Sequence, residues 1–382
     1  MPYILILAGW YPSKVDVYSG DFVQRHAQAI AQHHNVVVLF ATKCTNVRKL
    51  TITETQITAT LKEIIVYYPA HNYIAKLGAL YYYYQAIRQV YTRLVSVQGK
   101  PSIVHCMVAY RAGLWARYLQ VVHKLPYFIT DHSSMYTLAD PNYVGKHYFQ
   151  KKLLQNIFEH AQAIISISHQ YIHNLGKLYR LPKAQYIVPN VVDTSLFYYQ
   201  PRLGNEVYKY IHVSTMDYAK HVAGILTAYS KLTKLIPNVE LTLVGPVTEN
   251  VTMLIQQLNI QQHITLTGLV PYTQVAAYMQ ASDALILNSR YEGLPCVLLE
   301  AWCCGVPVIA TDVGAISEVL HSGNGILIPS DEDSTALYHA MVLMYNTYTY
   351  NNKAIATDAA MAYSYDAVGT LFSRIYAPYI TG

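Results

Sequence analysis

The chain has 382 residues, too many for one core of ordinary size and suited to two domains. Apolar residues make up 53% and charged residues 13%, which excludes disorder, and no uninterrupted apolar run approaches the ~18 residues of a membrane span. The net charge of +5 hides a split: 19 Lys and Arg against 8 Asp and Glu up to residue 195, then 8 against 14. That split points the first half toward an anionic partner or, equally, marks an uneven solvated surface.

The opening "MPYILILAGWYP" has no basic n-region, and its apolar run breaks at Gly9 and Pro12. It reads as a first strand rather than a signal peptide, which makes a soluble, cytoplasmic protein the default. A loop follows, in which Gly20 and Asp21 open an amphipathic helix from about Phe22. This is not the G-x-G-x-x-G turn of dinucleotide enzymes, although a loop ending in Gly at a helix N-terminus can still approach a phosphate or sugar. "NVVVLFA" and "EIIVYYP" continue as strands, then come aromatic-rich helices around residues 70 to 95 with "YYYY" at Tyr81 to Tyr84. The chain holds 37 Tyr against 7 Phe; such interleaving with Arg marks lipid surfaces or single-stranded nucleic acid, or only a compositional bias. A dense Arg/Lys cluster is missing, so nucleic acid is not an expected partner.

"SIVHCMV", "PYFITD", "AIISIS" and "QYIVPN" complete the first series of strands, with Asp131 and His132 where the second of them ends. Pro201, Gly204 and Asn205 then interrupt all periodicity, which places a linker at about 196 to 206. A second series follows: "KYIHVST", "VELTLVG", "HITLTG", "DALILNS" and "PVIATD", with Lys220 just ahead of its first helix. Apolar strands alternating with helices describe parallel sheets covered on both faces, hence two doubly wound α/β domains. Cys44, Cys106, Cys296, Cys303 and Cys304 form no C-x-x-C pair and read as reduced thiols.

Ligands of open parallel sheets bind beyond the carboxyl ends of the strands, so "RYEGLPCVLLEAWCCGVPVIATDVGAISE" (Arg290 to Glu318) carries most weight. Glu292 lies in the loop after a strand, and Pro295 is placed at the first position of the helix that Gly305 and Pro307 end. Glu300 sits about five residues inside that helix, roughly 7 to 8 Å along its axis. The two acids are too far apart to share a small metal ion easily, but suit the two ends of an elongated ligand. Amides of Gly293, Leu294 and the first turn lie between them and suit an anion. A nucleotide sugar has that form, with hydroxyls at both ends and phosphates between. On spacing alone a solvated loop acid and an exposed helix acid serve as well.

The same segment resembles the signature of retaining glycosyltransferases of family 4, in which E-x7-E precedes G-x-P-V-I-A-T-x-x-G. "WYPSKVDVYSGDFVQRHAQAIAQHHNVVVL", "IVPNVVDTSLF", "LTGLVPYTQVAAYMQASDALILNS" and "YSYDAVGTLFSRIY" are similar to other parts of that family, so the likeness covers nearly the whole chain. It implies the GT-B fold, two Rossmann-like domains facing across a cleft: 1–195 for the acceptor, 206–362 for the donor, and a last helix within 363–382 crossing back to the first. By that resemblance Glu292 contacts the transferred sugar beside Gly293, Leu294 and Pro295, and Glu300 holds the ribose. Lys220 neutralises the diphosphate, the backbone at Val270 reads the base, His132 lies near the donor sugar, and Gly20 approaches the diphosphate. Asp21 is the expected acceptor contact. By position alone Lys220 is as readily a surface residue as a ligand group, whereas His132, a bystander when taken alone, gains a functional reading from its place after "FITD" at a strand end. One departure stands out, since Thr215 occupies the place where many relatives carry an arginine beside the lysine.

The implied activity is metal-independent transfer of a hexose, with retention, from a nucleotide diphosphate sugar to a hydroxyl. The acceptor is a saccharide or lipid-linked saccharide in surface polysaccharide assembly, met at an anionic inner membrane face. No metal or other cofactor is expected, the nucleotide sugar being a co-substrate. Competing readings are a glycoside hydrolase, a sugar-nucleotide epimerase, and a non-catalytic partner protein on the same fold.

Overall fold

The computed structural model describes residues 2–380 apart from 18, 70–75, 132–146, 202–206, 331, 333 and 348. It divides into two units, one running through Val191 and resuming at Tyr365, the other spanning Val192–Ser364.

The first unit contains β1 (Ile4–Ala8), α1 (Asp21–Ala31), β2 (Val36–Cys44), β3 (Thr51–Gln56), β4 (Leu61–Pro69), α2 (Lys76–Gln98) and β5 (Ile103–Met107). It continues with α3 (Ala109–His123), β6 (Tyr127–Thr130), α4 (Tyr148–Glu159), β7 (Ala163–Ser166), α5 (His169–Leu178) and β8 (Ala184–Ile187). The eight strands lie in the order β3-β4-β2-β1-β5-β6-β7-β8, parallel except for β3, which pairs antiparallel with β4. β1 is buried throughout, because helices cover both faces and every side chain needs an apolar partner. β3 goes unsignalled in the sequence, since "TITETQ" is a largely exposed edge strand with no apolar alternation to recover. The expected helix after the first loop is α1.

The second unit contains β9 (Tyr208–Val213), α6 (Val222–Leu235), β10 (Val239–Val244), α7 (Glu249–Gln257), β11 (Ile264–Gly268), α8 (Tyr272–Gln280) and β12 (Ala284–Leu287). It continues with α9 (Cys296–Cys303), β13 (Val308–Thr311), β14 (Gly325–Ile328), α10 (Thr335–Asn346) and α11 (Asn352–Tyr363). Its sheet order is β11-β10-β9-β12-β13-β14, wholly parallel. This is the doubly wound order whose chain direction reverses between its first and fourth strands, β9 and β12. The expected pair of Rossmann-like domains is therefore the observed fold.

One boundary differs from expectation. Residues 196–201 are no free linker, because they pack on the second unit: Phe197 is fully buried against the Tyr272 ring at 4.9 Å. Gln280 Nε2 also donates to the carbonyls of Leu196 and Tyr198, at 3.0 and 3.2 Å. The last helix, α12 (Tyr365–Tyr376), belongs to the first unit, where Val368, Phe372, Ile375 and Tyr376 join the core formed with α1 and β1. Tyr376 Oη meets His105 Nδ1 at 2.5 Å, and both side chains are fully buried.

Several buried tyrosines bond their hydroxyls to backbone carbonyls. Tyr127 donates to Ile157 O at 2.5 Å, Tyr210 to Met341 O at 2.8 Å, and Tyr229 to Val239 O at 3.0 Å. Of the four-tyrosine run, Tyr83 is buried and Tyr81 exposed, as the turn of α2 requires. All five cysteines are free. Among the described residues no helix is long and apolar enough to cross a membrane.

Candidate functional site

The second sheet reverses its strand order between β9 and β12, and the loops leaving those two strands carry Lys220 and Glu292. Lys220 ends the 3₁₀ turn Tyr218–Lys220, whose start is capped by Asp217: Oδ1 accepts the Ala219 N–H at 2.9 Å. Thr215, at the position of the missing arginine, donates to the other oxygen of Asp217 at 2.7 Å. It therefore stiffens the turn that holds the lysine and adds no charge.

Lys220 Nζ donates to Glu292 Oε1 at 2.6 Å, and Ser289 Oγ to the same oxygen at 2.7 Å. The Glu292 side chain is 9% exposed and that of Lys220 22%. Glu292 is thus no solvated loop acid, since a carboxylate taken this far out of water requires a cation or several hydrogen-bond donors. Arg290 ties the two loops together: its amide donates to Ala219 O at 2.7 Å and its Nη1 to Tyr218 O at 2.8 Å. Behind them His212 is fully buried in β9, its Nδ1–H given to Ile286 O at 2.8 Å and its Nε2 accepting from Ser214 Oγ at 2.7 Å. Burial, aided by the Lys220 charge, holds its pKa down to about 4, so it serves as a neutral brace for the loop after β9.

The Glu292 loop is braced from β13. Thr311 Oγ1 donates to Ser289 O at 2.7 Å and the Ala315 amide to Gly293 O at 2.9 Å. Gly314, at φ +60°, lies so close that a Cβ there would stand 2.2 Å from Glu292 O. The second glycine of the sequence block is therefore a packing requirement of the glutamate loop.

Pro295 is the N-cap of α9, with extended ψ of 128°, one position ahead of its expected first helical place. Its ring fixes φ while the following residue begins the helix. Proline has no side-chain group to cap this N-terminus, and the positive end of the helix lies next to Gly293 and Leu294. Glu300 is the fifth residue of α9 and only 4% exposed, which removes the exposed helix acid as an alternative. The Tyr272 hydroxyl donates to its Oε1. One turn on, burial and then the Glu300 charge push the Cys303 thiol up to about 12. Val270 lies between β11 and α8, two residues before Tyr272, so its backbone and the partner of Glu300 share one short segment.

In the first unit, Gly20 (φ +78°) caps α1 and closes the long loop onto Trp10 and Tyr11, whose backbone a Cβ would meet at 2.5 to 2.6 Å. Asp21 pairs with Arg25 at 2.8 Å. His132 lies outside the described residues. The structure thus joins Lys220 directly to Glu292. It also adds Ser289, Tyr272 and Arg290, which sequence reasoning passed over. Ser289 and Arg290 stand within three residues of Glu292, but a hydroxyl or guanidinium in a loop carries no signal until its partner is placed. Among the described residues there is no group of three or more His, Cys, Asp or Glu able to hold a metal ion.

Two family models match the chain: "Glycosyltransferase Family 4" over residues 20–196 and "Glycosyl transferases group 1" over residues 200–357. A curated relative is a phosphatidylinositol N-acetylglucosaminyltransferase subunit of Arabidopsis thaliana, 27% identical over 210 residues, 53% of this chain and 45% of that one. Another is the N-acetyl-alpha-D-glucosaminyl L-malate synthase of Bacillus anthracis, 28% identical over 176 residues, 44% of this chain and 45% of that one. The matched region thus spans about half the length of these relatives. Among solved structures, a sucrose-phosphate synthase from Thermosynechococcus elongatus superposes with TM-score 0.76 at 18% identity, covering 98% of both chains. HepE of Anabaena, in complex with UDP and glucose, gives 0.70 at 14% identity over 99% of this chain and 100% of that one. Both establish the GT-B fold.

Proposed function

The chain belongs to the group 1 glycosyltransferases of family 4, and from that membership we propose that it transfers a hexose from a nucleotide diphosphate sugar to a hydroxyl group, with retention and without a metal. The observation that carries the reading is the partly buried Lys220–Glu292 pair at the strand reversal of the second sheet, followed eight residues on by buried Glu300. Binding residues converge at such reversals because adjacent loops there splay apart.

In this reading Glu300 accepts the ribose hydroxyls, the backbone at Val270 borders the base, and Glu292 accepts hydroxyls of the hexose beside Gly293 to Pro295. Lys220 and the first-turn amides of α9 meet the diphosphate. The bond from the anomeric carbon to the phosphate oxygen breaks, and the electron pair leaves with the diphosphate, whose growing charge Lys220 offsets. The acceptor oxygen bonds to the same face of the anomeric carbon, and its proton passes to the departing phosphate oxygen. His132 borders the donor sugar, Gly20 lets the first unit's loop approach the diphosphate, and Asp21 with its surroundings takes the acceptor. The acceptor is a saccharide or lipid-linked saccharide of surface polysaccharide assembly, and the excess of Lys and Arg in residues 1–195 suits a cytoplasmic site at an anionic membrane face.

The test is a thermal-shift screen against UDP, GDP and ADP and their hexose and N-acetylhexosamine sugars, followed by product analysis with EDTA present. A ligand bound only by the native state raises its stability by mass action. One nucleotide sugar should shift the melting temperature equally with and without EDTA, and Glu300→Gln should abolish the shift. No shift with any donor would overturn the reading.

A further inference from the structure

The first sheet has its own strand reversal, between β1 and β5, and a cavity of about 370 Å³ opens there. Its lining includes Trp10, Tyr11 and Asp16 after β1, Lys43 near the end of β2, Tyr68 of β4, and Arg111. Arg111 has φ +68° and ψ −55°, directly after Tyr110 at −64° and 127°, so the first residues of α3 are not helical. That is the positive-φ γ-turn conformation, rare and strained for a residue with a side chain. Val108 adds a second positive φ of 69°.

The neighbouring strand enforces this turn. The Val108 amide donates to Thr130 O at 2.9 Å. The Ala109 amide donates to Oδ2 of fully buried Asp131 at 2.8 Å, and Asp131 Oδ1 accepts from Tyr171 at 3.1 Å. Strain held in place this firmly is the kind of outlier from which a binding role is argued. Its product is a guanidinium delivered to the cavity wall. Arg111 Nε is buried and makes no hydrogen bond, and among the described residues no carboxylate pairs with Arg111. Its guanidinium stands 5.7 Å from the Tyr110 ring centroid. The nearby hydroxyls of Tyr68 and Tyr84 are held neutral by burial, against the pull of the Arg111 charge, so they offer hydrogen bonds and no compensating charge. Asp16 is exposed, and its Oδ1 already accepts the Ser19 amide at 3.0 Å.

We infer that this cavity binds an oxyanion, a phosphate or a carboxylate, through the guanidinium of Arg111, with Lys43 as a second cation at the opening. Building on the reading that the first unit takes the acceptor, the acceptor is then an anionic molecule whose phosphate or carboxylate docks at Arg111. A planar guanidinium suits such a group because its parallel N–H bonds match two oxygens. A neutral saccharide gives no reason to hold a cation in a strained turn.

The test is calorimetric titration of the full chain with inorganic phosphate, with succinate, and with glucose as the neutral probe. Arg111→Gly removes the cation while favouring the observed φ, so loss of folding does not confound it; Arg111→Lys keeps a point charge. One of the two anions should bind while glucose does not. Its affinity should fall at least about tenfold in Arg111→Gly and less in Arg111→Lys. The stronger anion tells a phosphate acceptor from a carboxylate one. Failure of both anions to saturate the wild type, or equal binding by Arg111→Gly, overturns the inference. Failure of nucleotide sugars to bind while phosphate still depends on Arg111 removes the transferase reading and leaves the anion site standing.

Discussion

Replacing Gly314 by alanine tests whether the loop of Glu292 is set by packing from β13. A residue with a Cβ pays about 1–2 kcal/mol to adopt a left-handed backbone, and Gly314 sits at φ +60°. The new Cβ would also stand 2.2 Å from Glu292 O and 2.6 Å from Gly293 O, where real Cβ contacts do not fall below 3.0 Å. The loop must therefore withdraw by about 0.8 Å, a shift that costs on the order of a hundredfold when it misplaces a reacting group. Overpacking adds roughly 1–3 kcal/mol to the strain. Gly99→Ala provides the control, since φ there is +81° and nothing lies within 4 Å of the built Cβ. Thermal unfolding should show Gly99→Ala losing about 1–2 kcal/mol with donor affinity and turnover intact. Gly314→Ala should lose about 2–5 kcal/mol and roughly a hundredfold in turnover. If the two variants turn over alike, the packing argument for Glu292 fails.

Two further outcomes follow from buried polar groups. Tyr376→Phe should destabilise the protein by about 1–3 kcal/mol in urea unfolding, because fully buried His105 loses the partner of its Nδ1; an unchanged midpoint would mean that α12 is held by apolar packing alone. Stability should fall with acid in a histidine-dependent way. Burial lowers His26 and His212 from 6.5 to about 4 and His105 to about 3. With folded values below unfolded ones, this stability is complete above about pH 7.5 and is lost as pH falls from 6.5 toward 4 and 3. At pH 5 each histidine accounts for about 2 kcal/mol of the loss. Urea midpoints equal at pH 7.5 and pH 5 would contradict that.

Two doubly wound domains, most of their strands and the block carrying Glu292 and Glu300 were legible in the chain, whereas the four-residue edge strand β14 was not. Their signals are local: apolar runs such as "ILILA" in β1 and a fixed eight-residue separation of two acids. The edge strand β3 was illegible because its exposed side chains leave no periodicity, and the start of the expected linker read as unpacked because its contacts, with Tyr272 and Gln280, come from residues some 75 to 85 positions away. Whether the glutamates were solvated or buried was also undecidable from spacing, since an acid on a helix looks the same on either face. Tertiary structure decided it by bringing Lys220 to Glu292 from 72 residues away and Tyr272 to Glu300 from the start of α8. Arg111 makes the same point from the first unit. Nothing in "MVAYRAGLW" marks it as a cation whose buried Nε makes no hydrogen bond, because that property belongs to a strained turn which Thr130 and Asp131 enforce from the neighbouring strand. Sequence specifies which elements form through short-range periodicity, while charge pairing and burial depend on chain segments that only the folded sheet places side by side.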